Sequence, residues 1–240
     1  MALERLQGKF GVQAKTQPRR IGYLETIKKS VQLRGRHKKQ SGGHGQYGDV
    51  TVEIKPLPRG SGFVFTDTIT GGVVPKQYIP AVEAGVREWM AQGPLGFAVV
   101  DFNVNLSEGS YHDVDSSEMA FKLAARLAMT EGMPQCAPVL LEPIVAVNIH
   151  VPSDATSRVN QIVTGHRGQL LGFDGREGWL GWDTVKAHLP ESEIGSLIIE
   201  LRSATSGVGT FIFNHDHMAE LVGRGAEQVI AARKAQMASS

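Results

Sequence analysis

Gly109-Ser-Tyr-His-Asp-Val-Asp-Ser-Ser-Glu-Met-Ala-Phe121 is a polar loop that runs straight into a helix start. Asp115 is a good N-cap residue, and Glu118 three positions later makes a pair of the capping-box kind. Behind it Ala120, Leu123, Ala124, Leu127 and Ala128 fall at helical spacing. Ahead of it Phe97 to Leu106 reads as one strand, with apolar residues at 100, 102, 104 and 106. A strand therefore delivers the loop and a helix anchors it. Ser110, Tyr111, His112 and Asp113 are presented on a firm base, which suits contact with a large polar partner.

Gln40-Ser-Gly-Gly-His-Gly-Gln-Tyr-Gly48 has the same character. It lies between a basic segment and the alternating run Val50, Val52, Ile54. Ile21 to Gln40 reads as extended and broken at Gly35. Side chains alternate along a strand, so Arg34, Arg36 and Lys38 share a face. With Lys39 they form a charged stripe leading to the loop. Glycines 42, 43 and 45 permit close backbone approach and positive φ. Phosphate cradling is one use of such a loop and a hairpin connection is the other. The GxxxxGK[ST] spacing of a nucleotide-binding phosphate loop does not occur.

The 240 residues are enough for one large or two smaller domains. No run approaches the roughly 20 apolar residues that span a bilayer, so no membrane partner is expected. Cys136 is the single cysteine, which rules out an intrachain disulfide and fits a reducing cytoplasm. The net charge of +1 conceals an asymmetry: residues 1–40 carry +9 and the remainder −8. A basic end on an acidic chain hints at polyanion binding, and a solvated basic strand is the alternative.

Leu3 to Phe10 makes a short amphipathic helix with Leu3, Leu6 and Phe10 on one side, ended by Gly11. Thr51–Pro56 alternates as a half-buried strand, Pro58–Gly62 is a turn, and Phe63 opens another strand. A helix over 81–92 follows. Met133 to Pro138, with two prolines, reads as a linker. Beyond it the order is a strand over 140–151, a helix capped by Ser153 or Asp154, and a strand after His166-Arg-Gly. Strand 182–189, helix 191–202 and strand 209–214 complete a ferredoxin-like βαββαβ plan. Residues 219–236 read as a terminal helix that frays.

Three blocks carry a family resemblance. Gln40–Val50 is similar to QSGGRGQYGHV, 109–121 to GSYHEVDSSEMAF, and 71–82 to GGVIPKEYIPAV, all in family order. They resemble domain IV of bacterial elongation factor G. LLEPI, RGQLLG and LRSATSGVGTF resemble its domain V, and helix 3–10 matches the end of domain III. The resemblance implies an α+β chain with a domain III remnant at 1–17. A domain over 18–136 follows, of a ribosomal-protein kind with a left-handed βαβ crossover, and then a ferredoxin-like domain over 137–240. It implies that the tip, Ser41, Gly42, Gly43, His44, Gly45, Gln46, Ser110, Tyr111, His112 and Asp113, enters the small-subunit decoding region and contacts tRNA and mRNA. The second domain would meet large-subunit RNA near the GTPase-associated centre. GTP and magnesium belong to a G domain outside this sequence; no cofactor and a monomer are expected here. Helix 3–10, which needs another domain to pack on, argues against a freestanding RNA-binding module.

The chain departs from the pattern at several places. His44 stands where Arg is usual, Asp49 where His is usual, and Gly207-Val-Gly where Gly-Arg-Gly is common. The first two read as the loss of a cation at the RNA-facing tip, and they keep a paralogue used in ribosome recycling or drug displacement in view. No catalytic set emerges. His215-Asp-His217 has no cysteine and no third spaced ligand, so no metal is expected. His150 and His188 fall in strand patterns and are assigned structural roles. Trp179 and Trp182 are expected to cover the core of the second domain.

Overall fold

The computed structural model describes residues 2–13, 20–41 and 43–239. Helix α1 (Ala2–Phe10) ends at Gly11, whose amide reaches the Gln7 carbonyl at positive φ. Phe10 is exposed. The side chains of Leu3 and Leu6 lie outside the described residues.

Strands β1 (Leu24–Ile27), β2 (Val31–Ser41), β3 (His44–Pro56) and β4 (Phe63–Asp67) follow. A short 3-10 turn leads into α2 (Ile79–Trp89), and β5 (Ala98–Val99), β6 (Phe102–Ser110) and α3 (Glu118–Gly132) complete the first half. β2, β3, β6 and β4 form a sheet in that order; β4 and β6 are parallel and α2 makes the crossover. Val50, Val52, Ile54, Val104 and Leu106 face α3 and α2 as a fully buried core. The alternation read in the sequence has this cause.

The single strand expected over 97–106 is two. Asp101 adopts φ 60 and is 2% exposed. Its carboxylate accepts from the Gly60 and Gly62 amides at 3.1 and 3.0 Å and from Arg59 at 3.0 Å. That corner sends β5 to pair with β1 in one sheet and β6 into the other. Gly35 does not break β2 either. It lies mid-strand against α3, where an added Cβ would sit 2.1 Å from the Ala124 carbonyl oxygen.

The second half comprises β7 (Pro138–Pro152), α4 (Thr156–Gly165), β8 (Gln169–Gly175), β9 (Trp182–Pro190), α5 (Ile194–Ala204), β10 (Thr210–Leu221) and α6 (Gly223–Ala238). Its strand order is β10-β7-β9-β8, antiparallel throughout, as a βαββαβ plan requires. α4 and α5 cover the face bearing Val145, Val147, Ile149, Val185 and Leu189. Neither Ser153 nor Asp154 caps α4: a 3-10 turn precedes it, and the Ser153 hydroxyl goes to Asp183 instead.

Residues 133–138 do not behave as a linker. Met133 and Cys136 are fully buried in the first core, and the Cys136 carbonyl accepts from Lys28 and Lys29 amides. Burial pushes the Cys136 thiol up to about 11, which marks it as an inert packing residue. β1 pairs with residues 138–141 of β7, while β9 pairs with 144–152 of the same strand, so the sheet runs through the junction. β10 also runs seven residues past the expected end. α6 is tied down: the Arg233 guanidinium donates to the Gly96 carbonyl at 2.8 Å and stacks over Phe97. Among the described residues no helix is long and apolar enough to cross a membrane.

Candidate nucleic-acid interface

The two polar loops meet at one end of the β2–β3 hairpin. β2 and β3 pair up to Ser41 opposite His44, so the glycine-rich stretch is the turn of a long ribbon. Gly43 has φ 131, a conformation that favours glycine. Gly42 and the side chains of Ser41 and His44 lie outside the described residues.

Residues 110–117 are zipped to the base of this turn. The Tyr47 amide donates to the Asp115 carbonyl at 2.8 Å, and the Ser116 hydroxyl donates to the Tyr47 carbonyl at 2.9 Å. The Asp115 carboxylate accepts from the Gly45 amide at 3.1 Å. A Cβ on Gly45 would lie 2.6 Å from that carboxylate, so a larger residue there would push the Asp115 side chain aside. Asp115 is therefore not the N-cap of α3. Ser117 is, accepting from the Ala120 amide at 3.2 Å. Asp115 clamps the two loops together instead.

Asp49 fastens the ribbon from behind. It is 1% exposed, so it is not part of the outward tip that the sequence suggested. Arg34 grips it with Nε and Nη2, and Ser110 and Tyr47 hydroxyls approach at 2.7 and 3.2 Å. Tyr47 and Ser110 oxygens are themselves 2.7 Å apart. Two hydroxyl hydrogens serve three contacts, and the two short ones make a relay from Tyr47 through Ser110 to Asp49. Burial works to raise the Asp49 carboxyl, but the Arg34 pair and the hydroxyl hydrogen bonds outweigh it and hold the group below its ordinary value.

Arg34 is thus spent on structure, and the stripe divides. Its partners Arg36 and Lys38 lie on the exposed face of β2, as period-two alternation predicts. The Arg36 guanidinium stacks 5.4 Å from the Tyr47 ring centre. Arg36, Lys38, Lys39 and Gln40 from β2, Gln46 and Tyr47 from β3, and Ser110, Tyr111, His112 and Asp115 from the loop line one cleft of about 400 Å³. His37, on the other face, meets Gln46 at 2.9 Å. Tyr111, His112 and Asp113 are exposed. His112 makes only light contacts: Nδ1 is 3.4 Å from the Val114 amide and 3.6 Å from Asp115.

The structure places Arg36, Lys38, Lys39, Gln46 and Ser110–His112 around one cleft, leaves Arg34 outside it on Asp49, and adds Tyr47 and Asp115 to the lining. Tyr47 lay inside the quoted motif, but nothing local showed that its ring would serve as floor for Arg36. Chemically the cleft offers cations, hydroxyls and an amide over a polar surface, which is a fit for phosphate oxygens and ribose hydroxyls. In the second domain Trp179 does not cover the core. It is half exposed, stacked at 4.0 Å by Arg176 and edge-on to Trp182, at the outward end of the β8–β9 hairpin.

Two family models, a curated relative and a solved structure match the chain. Residues 19–137 match the family model described as Elongation factor G, domain IV, and residues 139–229 match Elongation factor G C-terminus. An Elongation factor G-like protein of Synechocystis sp. is 59% identical over 221 residues, 92% of this chain and 33% of that protein. A solved crystal structure from Thermus thermophilus superposes with a TM-score of 0.84 at 38% identity, covering 97% of this chain and 34% of that one. The chain thus spans about a third of the length of the relatives it matches.

Proposed function

Because this chain belongs to the elongation factor G family, over domain IV and the C-terminal region, we propose that it is the ribosome-engaging part of a translational GTPase that promotes tRNA–mRNA translocation. The first domain inserts its tip into the small-subunit decoding region in the cytoplasm. The second rests on large-subunit RNA near the GTPase-associated centre. The tRNA–mRNA duplex is gripped here by shape, phosphate and 2′-OH contacts, with no base code needed. The observation that carries this reading is the shared cleft. Arg36, Lys38 and Lys39 stand on one wall and Ser110, Tyr111 and His112 on the other, on loops locked to each other by Asp115 and Ser116. GTP and magnesium are handled by parts of the factor outside these 240 residues.

Direct binding to ribosomes across a salt series tests it. Neutralised phosphates release counterions, so affinity falls with salt, and removing one phosphate-contacting cation lowers the slope by about 1. Lys38→Ala and Lys39→Ala should each do so, and salt-independent binding would count against the reading. A factor carrying His112→Ala should translocate more slowly in single-turnover assays. The relative named elongation factor G-like favours a second reading, a paralogue acting in recycling or drug displacement. Subunit splitting without translocation would select it.

A further inference from the structure

The face of the second sheet that α4 and α5 leave uncovered carries a cluster that the RNA-facing cleft does not use. His188 on β9 stands opposite Ala146 of β7, and on its other side Ala146 stands opposite Asn214 of β10. Between His215 and His217, β10 bulges and gains one residue, Asp216. A bulge of this kind re-aims side chains locally. Here His217 comes into register with Ile144, on the same face as His188, while His215 pairs with Val145 and faces the other way. The methyl side chain of Ala146 leaves room above β7 for the groups on either side to converge.

They do converge. The His217 Nδ1 lies 2.6 Å from Asp216 Oδ2, and His188 Nε2 lies 3.6 Å from Asp216 Oδ1. The two imidazoles stand edge-to-face with centres 5.5 Å apart. One donor atom from each of the three residues lies within 4.8 Å of the other two, and all three residues are partly open to solvent. Lys186, two residues from His188 on the same face, is turned to Asp174 at 2.9 Å, so its charge is directed away from the cluster.

We propose that His188, Asp216 and His217 bind a single divalent transition-metal ion that ties β9 to β10 across β7, with zinc the best fit. Two imidazoles and one carboxylate form a borderline donor set. Calcium and magnesium instead ask for an all-oxygen shell. Zinc takes nitrogen at about 2.0–2.1 Å and carboxylate oxygen at about 2.0–2.2 Å. The three donor atoms, all within 4.8 Å of one another, are near enough for one ion to draw them together. Three protein ligands leave one position for water or for a donor from a bound partner.

Titration of the untagged chain with Zn²⁺ in a calorimeter tests this. One equivalent should bind saturably. His188→Ala, His217→Ala and Asp216→Asn should each weaken it about tenfold or more, and His215→Ala should leave it unchanged. The side chains are at the surface, so the variants should keep the parent circular dichroism. An independent readout needs no substitution: the imidazole NMR signals of His188 and His217 should shift with Zn²⁺ while those of His215 stay in place. No saturable binding would overturn the site and leave Asp216 hydrogen-bonded to His217 with His188 beside it. Wild-type affinity in the His188 and His217 variants, or all histidine signals moving alike, would mean surface adsorption and overturn it equally.

Discussion

Arg34 and Asp49 are joined through both arms of the guanidinium, with Nε donating to Oδ1 at 2.8 Å and Nη2 donating to Oδ2. The acid is buried and the base is largely exposed, at 1% and 60% of their side-chain surfaces. The pair therefore behaves as a buried carboxylate with a lid, and its worth lies in satisfying Asp49 rather than in surface attraction. Because Ser110 also bonds Asp49, the same carboxylate joins the hairpin to the loop that bears His112.

Asp49→Ala should cost about 1–3 kcal/mol, since it leaves the Tyr47–Ser110 relay without its acceptor in a closed site. The loss should be local as well as global. Amide exchange should quicken at residues 45–48 and 110–112 before it does in α3. Urea unfolding and exchange mass spectrometry measure the two. Exchange unchanged at the tip would show that Asp115 and Ser116 alone hold the loops.

Two glycines set the distance between the ribbon and α3. A Cβ at Gly48 would lie 2.4 Å from the Ala120 carbonyl oxygen, and one at Gly35 would lie 2.1 Å from that of Ala124. Both obstacles are backbone, so the helix must move. Gly35→Ala and Gly48→Ala should each cost about 3 kcal/mol or more, at the upper end for overpacking. Gly22→Ala is the control, with nothing within 4 Å of its Cβ. Its effect should stay within about 0.5 kcal/mol. Thermal unfolding of the three variants decides.

Much of this was legible in the sequence because it follows from periodicity. The exposed face of β2 with Arg34, Arg36 and Lys38, the βαββαβ order, and the helix behind the loop are short-range facts. The misreadings share a cause. Asp115, Ser116 and Ser117 are all good capping residues, and only the distant Gly45 amide decides that Asp115 is otherwise engaged. The corner at Asp101 has no glycine or proline of its own; it is made by the Gly60 and Gly62 amides. Two prolines made 133–138 look like a linker, yet burial of Met133 and Cys136 and pairing with β1 fix it. Likewise no spacing along the chain relates His188 to His217.

Glu25 gives a pH dependence with a definite sign. It is fully buried on β1, accepts from the Leu95 amide at 2.8 Å, and has Oε1 without a partner. Burial raises its carboxyl from 4.5 to about 7, against the lowering effect of nearby backbone amides. A raised folded-state value favours the protonated form, so its contribution to stability is full below about pH 4.5 and is lost as pH rises to about 7. The loss is on the order of 3 kcal/mol at most. Glu25→Gln should flatten the curve over that window, measured as urea midpoints at about pH 5 and about pH 7.5. A variant that keeps the wild-type slope would assign the titration to another group.

The last test separates contact from scaffold within one loop. His112 is exposed and its ring makes only long contacts, so His112→Ala should change stability by about 0.5 kcal/mol or less. Any loss of ribosome binding or translocation would then be loss of a contact. Ser117→Ala removes the N-cap of α3 and should cost about 1 kcal/mol, spread over the first domain. Asp115→Ala leaves the helix capped but frees the Gly45 amide, so exchange at Gly45 and Tyr47 should quicken while α3 stays protected. The three variants thus predict three patterns: function without stability, stability across the domain, and loosening confined to the hairpin turn. They are read by thermal unfolding, amide exchange and single-turnover translocation on programmed ribosomes. Should His112→Ala unfold several kcal/mol more easily, the histidine is structural and its assignment to RNA contact fails. Should Asp115→Ala destabilise α3 while leaving Gly45 protected, the clamp is wrong and the cap reading of Asp115 returns.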